Sequence, residues 1–232
     1  MKVLWLGHSG FRFEIEDQVV LVDPWITQNP MLDEAHYSAA TEGATHILVT
    51  HGHFDHIADV VQVSKDTGAP VSGMVELAQY LHGEGAVEGV AFNMGGTISI
   101  GDKVSASMVP ASHSSTADVD GEKPYMGSES GFILRGEGHT IYISGDTGLM
   151  ADMDWIGDYH KPDIGILSAG GHFTMDMDMA AYAARRYFAF KTLIPCHYRT
   201  FPALAQSAVA LTTGVPDGTR VIEPEVMKAI NL

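Results

Sequence analysis

The pattern of hydrophobic and polar positions divides the chain into many short elements. Short apolar-rich runs bounded by glycine or polar turns predict strands, and apolar residues spaced three or four positions apart predict helices. The predicted strands cover residues 2–6, 10–15, 19–22, 44–50, 69–74, 90–92, 97–100, 103–109, 130–134, 140–144, 164–168, 192–196 and 220–222. The predicted helices cover residues 56–66, 75–81, 149–159, 177–188 and 202–213.

The order of these elements indicates how they pack. Strands come first as a meander and then alternate with helices in both halves of the chain. This order favours an α/β fold in which two mixed sheets lie face to face with helices outside, a four-layer αββα sandwich. We expect one domain over residues 1–232. Residues 112–127 are polar and rich in turn formers, which predicts a loop.

Composition and charge narrow the class of protein and of partner. The chain is 45% hydrophobic and 18% charged, so it can bury a substantial core. Thirteen basic and 29 acidic residues give a formal charge of −16, which opposes binding to nucleic acid and to anionic membranes. The sequence has neither a run long enough to span a bilayer nor a recognisable signal peptide. With a single cysteine, Cys196, this predicts a cytoplasmic protein without an internal disulfide.

Three histidines and an aspartate crowd residues 50–56, which read T-H-G-H-F-D-H directly after a predicted strand. One histidine or one helix-capping aspartate would be interpreted as structural, but the combination favours a metal such as zinc. Four ligands so close in sequence do not easily surround a single tetrahedral ion. The natural division assigns His51 and His53 to one ion, and Asp55 and His56 to a second.

Three residues far along the chain could complete these two half-sites. His113, Asp146 and His197 each lie where a predicted strand gives way to a loop. Strand ends form the rigid rim on which binding sites are usually built. The sequence therefore predicts a site drawn from both halves of the chain.

The ordered motifs resemble those of the metallo-β-lactamase superfamily. They are L-V-D-P with Asp23, H-G-H-F-D-H, His113, S-G-D-T with Asp146, and C-H-Y with His197, and they cover residues 23–197. The resemblance implies the αββα fold of that superfamily. It also implies these roles: His51, His53 and His113 on one metal, Asp55, His56 and His197 on the other, Asp146 bridging the two ions, and Asp23 supporting the histidine loop from behind.

Four further segments resemble a narrower family of small bacterial and archaeal metal-dependent hydrolases. That family looks related to L-ascorbate-6-phosphate lactonase and, more remotely, to N-acyl-phosphatidylethanolamine phospholipase D. The segments are W-L-G-H-S at 5–9, G-D-T-G-L at 145–149, G-G-H-F-T-M at 170–175 and P-C-H-Y-R-T-F-P at 195–202.

The narrower resemblance adds candidates around the metals. It places His8 and His172 near the mouth of the site, where either could bind substrate or protonate a leaving group, although a structural role is an equal alternative. Arg199 could bind an anionic substrate through a forked hydrogen bond or form a structural salt bridge, and Lys123 is a weaker candidate of the same kind.

These observations predict a binuclear metal-dependent hydrolase acting on a small ester, lactone or phosphoester. A hydroxide held between two divalent ions is available at neutral pH, because a metal lowers the pKa of water towards ~7. Asp55 would orient that nucleophile or take its proton, as well as binding metal. Zinc is the first expectation for the metal, with Mn, Fe or Co as alternatives.

Other functions remain open at the level of sequence. One is a non-catalytic sensor of metals or metabolites on the same fold, and another is a phosphodiesterase or nuclease of the superfamily. A di-iron oxygen- or NO-reducing protein is disfavoured, because that type tends to carry Glu where this chain has His53. The expected partner is a small-molecule substrate, and assembly into a homo-oligomer stays open.

Overall fold

Fourteen strands and seven α-helices make up the computed structural model, which describes residues 1–232. The strands are β1 (Lys2–Trp5), β2 (Phe11–Ile15), β3 (Gln18–Val22), β4 (His46–Val49), β5 (Val71–Met74), β6 (Glu88–Phe92), β7 (Thr97–Ile100), β8 (Val104–Pro110), β9 (Ser130–Gly136), β10 (His139–Ile143), β11 (Ile164–Ser168), β12 (Thr192–Cys196), β13 (Arg220–Val221) and β14 (Ile230–Asn231). The helices are α1 (Tyr37–Thr41), α2 (Phe54–Ile57), α3 (Val60–Thr67), α4 (Val75–Gly83), α5 (Met153–Trp155), α6 (Met177–Tyr187) and α7 (Val209–Gly214). None of these helices combines the length and the apolarity needed to cross a membrane.

The strands form two seven-stranded sheets with the same mixed pattern. The first has the order β14-β1-β2-β3-β4-β5-β6, and the second has the order β13-β12-β11-β10-β9-β8-β7. In the first sheet β1 to β3 are antiparallel and β3 to β6 are parallel. In the second sheet β7 to β10 are antiparallel and β10 to β13 are parallel. Therefore β1, β3 and β4 end at one edge of the first sheet, and β8, β10 and β12 end at one edge of the second.

A single cluster of 60 buried residues forms the core, and it extends along the chain from Val3 to Ile230. Burying a large apolar side chain contributes roughly 1.5–3 kcal/mol, so the sheet faces supply most of the driving force for folding. The ring of Trp5 at the end of β1 stacks on Tyr198 with centroids 5.5 Å apart, which joins the two sheets next to the loop after β12. The predicted αββα sandwich is confirmed.

Three predicted helices were wrong in extent. The helix predicted at 149–159 begins only at Met153, as α5, and continues as a π-helical segment over Ile156–His160. The helix predicted at 56–66 is split into α2 and α3 at Asp59, where the backbone departs from helical geometry with φ of −106° and ψ of −4°. The Asp59 carboxylate accepts hydrogen bonds from the backbone N–H groups of Ile26 and Thr27. The helix predicted at 202–213 is reduced to α7. The backbone N–H of Ala205 donates instead to the carbonyl of Gly170, 2.8 Å away, so this segment follows a neighbouring loop.

Candidate metal centre

The H-G-H-F-D-H segment lies at the carboxyl end of β4, where the chain turns into α2. His51 and His53 belong to the turn, and Asp55 and His56 lie in the single turn of α2. The turn needs a glycine at position 52. A Cβ there would lie only 3.0 Å from the Cβ of Met126, in the loop of residues 112–127 that covers the turn. Gly52 therefore lets this loop close over the histidines.

Three other site residues use a rare backbone conformation to reach the same edge. His8, Asp23 and His197 follow β1, β3 and β12, with φ of 50°, 45° and 55°. This left-handed conformation costs a non-glycine residue roughly 1–2 kcal/mol, and it persists at functional sites where the surrounding structure enforces it. Here it turns each chain sharply at the strand end, so that the side chain lies over the edge of the sheet.

The first group of ligand atoms comes from His51, His53 and His113, whose nitrogens lie within 4.8 Å of one another. Nε2 of His51 is 3.0 Å from Nδ1 of His53, and Nε2 of His113 is 3.2 Å from the same Nδ1. The other ring nitrogen of His53, Nε2, is 3.3 Å from the hydroxyl of Ser114. Three imidazole nitrogens thus converge on one point.

The proton positions on His51 follow from its neighbour Thr50. The Thr50 hydroxyl donates its hydrogen to Oδ2 of Asp23 at 2.6 Å, so towards His51 it is an acceptor. Nδ1 of His51, 3.0 Å from this hydroxyl, therefore carries the ring hydrogen. Nε2 of His51 is left with a lone pair directed into the first group. This is the form of the ring that binds a metal.

The second group contains His8, Asp55, His56 and His197, whose ligand atoms also lie within 4.8 Å of one another. Nδ1 of His56 donates to Oδ2 of Asp23 at 2.8 Å, which leaves the lone pair of a neutral ring on Nε2. That Nε2 atom is buried and has no hydrogen-bond partner. A buried polar atom without a partner is costly, and a cation at this point would satisfy it.

Asp146 lies between the two groups. Its Oδ2 atom is 2.9 Å from Nε2 of His197, 3.5 Å from Nε2 of His56 and 3.8 Å from Nε2 of His113. A third set of close ligand atoms combines Asp146 with His51 and His56. One carboxylate oxygen therefore contacts members of both groups, as a bridging ligand requires.

The electrostatics of the cluster match a binding site for cations. Burial by itself would raise the pKa of Asp146, but the neighbouring His197 and His56 hold it well below its usual range. Burial would lower the pKa of His56, yet the carboxylates of Asp146 and Asp23 hold it well above. For His51 burial dominates and holds the pKa well below the usual value. Ionised carboxylates and imidazole nitrogens are the donors that divalent transition metals take, so the residues fit such ions. At His56 a bound ion would replace the proton that the two carboxylates favour there.

His8 is turned away from solvent, although the sequence placed it near the mouth. Its Nε2 donates to Oδ2 of Asp55 at 2.8 Å, and its Nδ1 is 2.8 Å from the hydroxyl of Thr200. Burial lowers the pKa of His8 to about 4 despite the Asp55 carboxylate, so the ring is neutral. In this arrangement His8 acts on the site through Asp55.

The other two candidates lie outside the cavity at the metal cluster. His172 is exposed and its ring contacts Phe173, with centroids 4.4 Å apart. Arg199 is also exposed and lines a separate cavity that contains Glu225, on the far side of the loop after β12. The structure therefore brings together the seven predicted metal ligands and Asp23, but it does not bring His172 or Arg199 to them.

The cluster opens into a cavity of about 650 Å³. Five predicted ligands form its floor: His53, Asp55, His113, Asp146 and His197. Its walls combine apolar side chains with a polar side formed by the loop of residues 112–127: Phe54, Phe173, Phe201, Ala117 and Ala203 against Ser114, Thr116, Asp118 and Lys123. Lys123 is thus the cationic side chain at the cavity, and not Arg199.

Sequence reasoning missed several residues that hold the ligands in place. Thr50 fixes the ring of His51, Thr200 contacts His8, and Glu129 accepts a hydrogen bond of 2.8 Å from the backbone N–H of His113. Thr50 and Thr200 lie in segments that the motifs cover, directly before His51 and shortly after His197. Glu129 had no such signal, because its contact depends on how β9 approaches the loop after β8.

Sequence comparisons agree with this geometry. The model of the beta-lactamase superfamily domain matches residues 18–198. A UPF0173 metal-dependent hydrolase of Roseobacter denitrificans is 60% identical over 230 residues, which cover 99% of each chain. Another from Ruegeria sp. strain TM1040 is 58% identical over 232 residues and covers both chains completely.

Solved structures extend the comparison. Igni18, a metallo hydrolase from the archaeon Ignicoccus hospitalis, superimposes with a TM-score of 0.81 at 30% identity, over 100% of this chain and 98% of that one. The metallo-beta-lactamase fold protein YhfI from Bacillus subtilis gives a TM-score of 0.75 at 16% identity, over 99% of each chain, and supports the fold alone.

Proposed function

This chain belongs to the metallo-β-lactamase superfamily as a metal-dependent hydrolase, and we propose that it binds two divalent ions and hydrolyses a small ester, lactone or phosphoester. The two groups of ligand atoms that share Asp146 carry this proposal. His51, His53 and His113 would hold one ion, and Asp55, His56 and His197 the other. Zinc is the proposed metal, because imidazole predominates among the ligands.

The bound ions would supply Lewis acidity and lower the pKa of water towards ~7, which makes water a nucleophile at neutral pH. The chain itself supplies orientation and a place for the proton. Asp55 lies on the cavity floor with Oδ2 held by His8, while its Oδ1 has no hydrogen bond within the protein. Oδ1 is therefore free to accept a proton from the attacking water. The buried His8 ring keeps the carboxylate in that orientation.

The cavity does not favour a nucleic-acid substrate. Lys123 is the only lysine or arginine among its lining residues, and Nζ of Lys123 lies 2.6 Å from Oδ2 of Asp118. Recognition of a polyanion depends on several free cations along its path. This cavity offers one that is already paired, which supports a small substrate.

The test is a metal assay joined to an activity screen. Elemental analysis of the metal-saturated protein should give two ions per chain, and that protein should hydrolyse members of a panel of carboxylic esters, lactones and bis-p-nitrophenyl phosphate. His51→Ala and Asp146→Ala should abolish hydrolysis and lower the metal content. The matched control His36→Ala removes an exposed histidine far from the cluster and should change neither quantity.

Circular dichroism of the metal-free variants checks that the fold survives each substitution. The hydrolase proposal would be refuted if metal-replete protein cleaved no member of the panel. One ion per chain at saturation would refute the binuclear site.

A further inference from the structure

Aromatic side chains stand unusually exposed around the metal cluster. The side chain of Phe54 is 61% exposed and that of Phe173 is 53% exposed, and both line the cavity together with the half-buried Phe201. Phe54 lies between two predicted ligands, His53 and Asp55. Exposed apolar side chains grouped at a cavity mark a surface that binds an apolar partner or ligand.

A second cavity of about 340 Å³ adjoins the first and shares Phe54 and Phe201 with it. Its other lining residues are Trp25, Thr27, Gln28, Pro30 and Ala58, so no ionisable side chain contributes to it. The ring of Trp25 lies 5.6 Å from that of Phe54 and 6.2 Å from that of Phe201, measured between centroids. Phe54 and Phe201 therefore form a wall with the metal cluster on one side and an uncharged pocket on the other.

The side of the pocket formed by Trp25 and Thr27 is held in place before any ligand arrives. Trp25 is only 4% exposed, and the backbone N–H groups of Ile26 and Thr27 both donate to the carboxylate of Asp59. A wall that is already ordered loses little entropy when the pocket is filled, which favours binding. Its volume suits a ring or a short alkyl chain and is too small for a polymer.

Charge distinguishes between the substrate classes named in the proposed function, which are uncharged esters or lactones and charged phosphoesters. A phosphate monoester or diester is negatively charged, and away from the proposed ions the one cationic side chain of the cavity, Lys123, is already paired with Asp118. The chain as a whole has a net charge of −16, which adds repulsion. An uncharged carboxylic ester or lactone meets no such opposition.

We propose that the substrate is an uncharged carboxylic ester or lactone with an apolar arm that lies in the pocket between Trp25, Phe54 and Phe201. This rests on the proposed hydrolysis. The oxygen of water adds to the acyl carbon and the acyl C–O bond breaks. One proton of the water goes to the leaving alcohol, and the other is released when the acid product ionises. Phe54 sets which arm is accepted.

Hydrolysis of p-nitrophenyl esters from acetate to octanoate tests the pocket, because the leaving group stays constant while the arm grows. The value of kcat/KM for the metal-loaded protein should rise about twofold to fourfold with each methylene until the pocket is full. Phe54→Ala should flatten this dependence, lowering the octanoate-to-acetate ratio of kcat/KM on the order of tenfold. The matched control Tyr159→Ala removes an aromatic ring that is 77% exposed and remote from both cavities, and it should keep the wild-type ratio.

A binding measurement makes the pocket testable without turnover. Octanamide carries the same apolar arm, and it should change the tryptophan fluorescence of the metal-free protein. Trp25→Phe should remove that change, and Phe54→Ala should weaken the binding.

The outcomes distinguish this inference from the proposed function. If esters are hydrolysed at rates independent of chain length, or bis-p-nitrophenyl phosphate is cleaved with a higher kcat/KM than the octanoate, the inference is overturned and the hydrolase remains. If no substrate is turned over, the proposed function fails, and the fluorescence of Trp25 with octanamide still decides whether the pocket takes an apolar arm. No change in that fluorescence overturns the inference.

Discussion

Replacing Asp23 by asparagine should reverse the proton positions on two predicted metal ligands. Asp23 is buried and accepts three hydrogen bonds, from the backbone N–H of Thr50 at 2.8 Å, from the Thr50 hydroxyl at 2.6 Å and from Nδ1 of His56 at 2.8 Å. A carboxylate is an acceptor only, so all three partners must donate. An amide of the same shape has one acceptor and one donor end.

The orientation of the new amide follows from the backbone. The N–H of Thr50 can only donate, so the oxygen of the new amide must face it, and the NH2 group takes the place of Oδ2. The NH2 group then donates to Nδ1 of His56 and to the Thr50 hydroxyl, which in turn donates to Nδ1 of His51. Both rings move their hydrogen to Nε2, the atom directed at the metal groups.

The magnitude follows from the number of rings affected. Loss of a group that orients a metal-binding histidine typically costs 10–100-fold in metal affinity. His51 belongs to the first group and His56 to the second, so each ion should bind about 10–100-fold more weakly, or roughly 1.4–2.7 kcal/mol. The hydrogen bonds are reversed and not removed, so the unfolding free energy of the metal-free protein should fall by about 1 kcal/mol at most.

The assay is competition for zinc with a chromophoric chelator, joined to urea unfolding of the metal-free protein. Asp59→Asn is the matched control. Asp59 is also a buried aspartate near the same strand ends with backbone N–H donors, but it contacts no predicted ligand. The Asp59→Asn variant should have a lower free energy of unfolding than wild type, and its zinc affinity should stay within about twofold of wild type. Wild-type affinity at both sites in Asp23→Asn would refute the reasoning, and weaker binding of a single ion would confine the effect to one ring.

Two further predictions concern the carboxyl end of β12. In Gly170→Ala the new Cβ would lie 1.8 Å from the carbonyl oxygen of His197, so we expect a loss of about 3 kcal/mol or more in urea unfolding, whereas Gly83→Ala, with open space around its Cβ, should unfold like wild type. Equal midpoints for the two variants would contradict this contact. Cys196 is 4% exposed, and burial raises the pKa of its thiol, so iodoacetamide should modify it only after unfolding, as followed by mass spectrometry. Rapid labelling of the native protein would contradict the burial.

The sequence predicted the strands well because most of them are short apolar segments with clear boundaries. It could not show β14, since two residues carry no periodicity and their pairing with Lys2 and Val3 depends on the opposite end of the chain. It also overestimated the length of the helix predicted at 202–213, where the backbone finds a partner in a distant loop. Ala205 bonds there to Gly170. Local helix propensity does not account for such a competing hydrogen bond from a distant part of the chain.

The candidate site could be predicted where motif residues follow strands. The direction in which a neighbouring side chain projects from the backbone could not be predicted. His113, Asp146 and His197 occupy strand ends, and the structure groups them with the H-G-H-F-D-H segment. Arg199 is only two residues beyond His197, yet its φ of 67° takes it to another cavity. His8 lies behind Asp55 because both of its ring nitrogens find partners in the interior. These outcomes depend on the local backbone conformation and on tertiary contacts, which the spacing of residues along the sequence does not reveal.

Both sheets contribute ligands to each group of metal-binding residues, so bound ions would stabilise the fold. His51, His53, Asp55 and His56 follow β4 of the first sheet, whereas His113, Asp146 and His197 follow strands of the second. Each predicted ion would therefore have ligands from both sheets and connect their edges. The unfolded chain has no such arrangement, so the free energy of ion binding adds to the free energy of folding. The strained backbone of His8, Asp23 and His197 opposes folding, and ion binding at the same edge of the molecule offsets it.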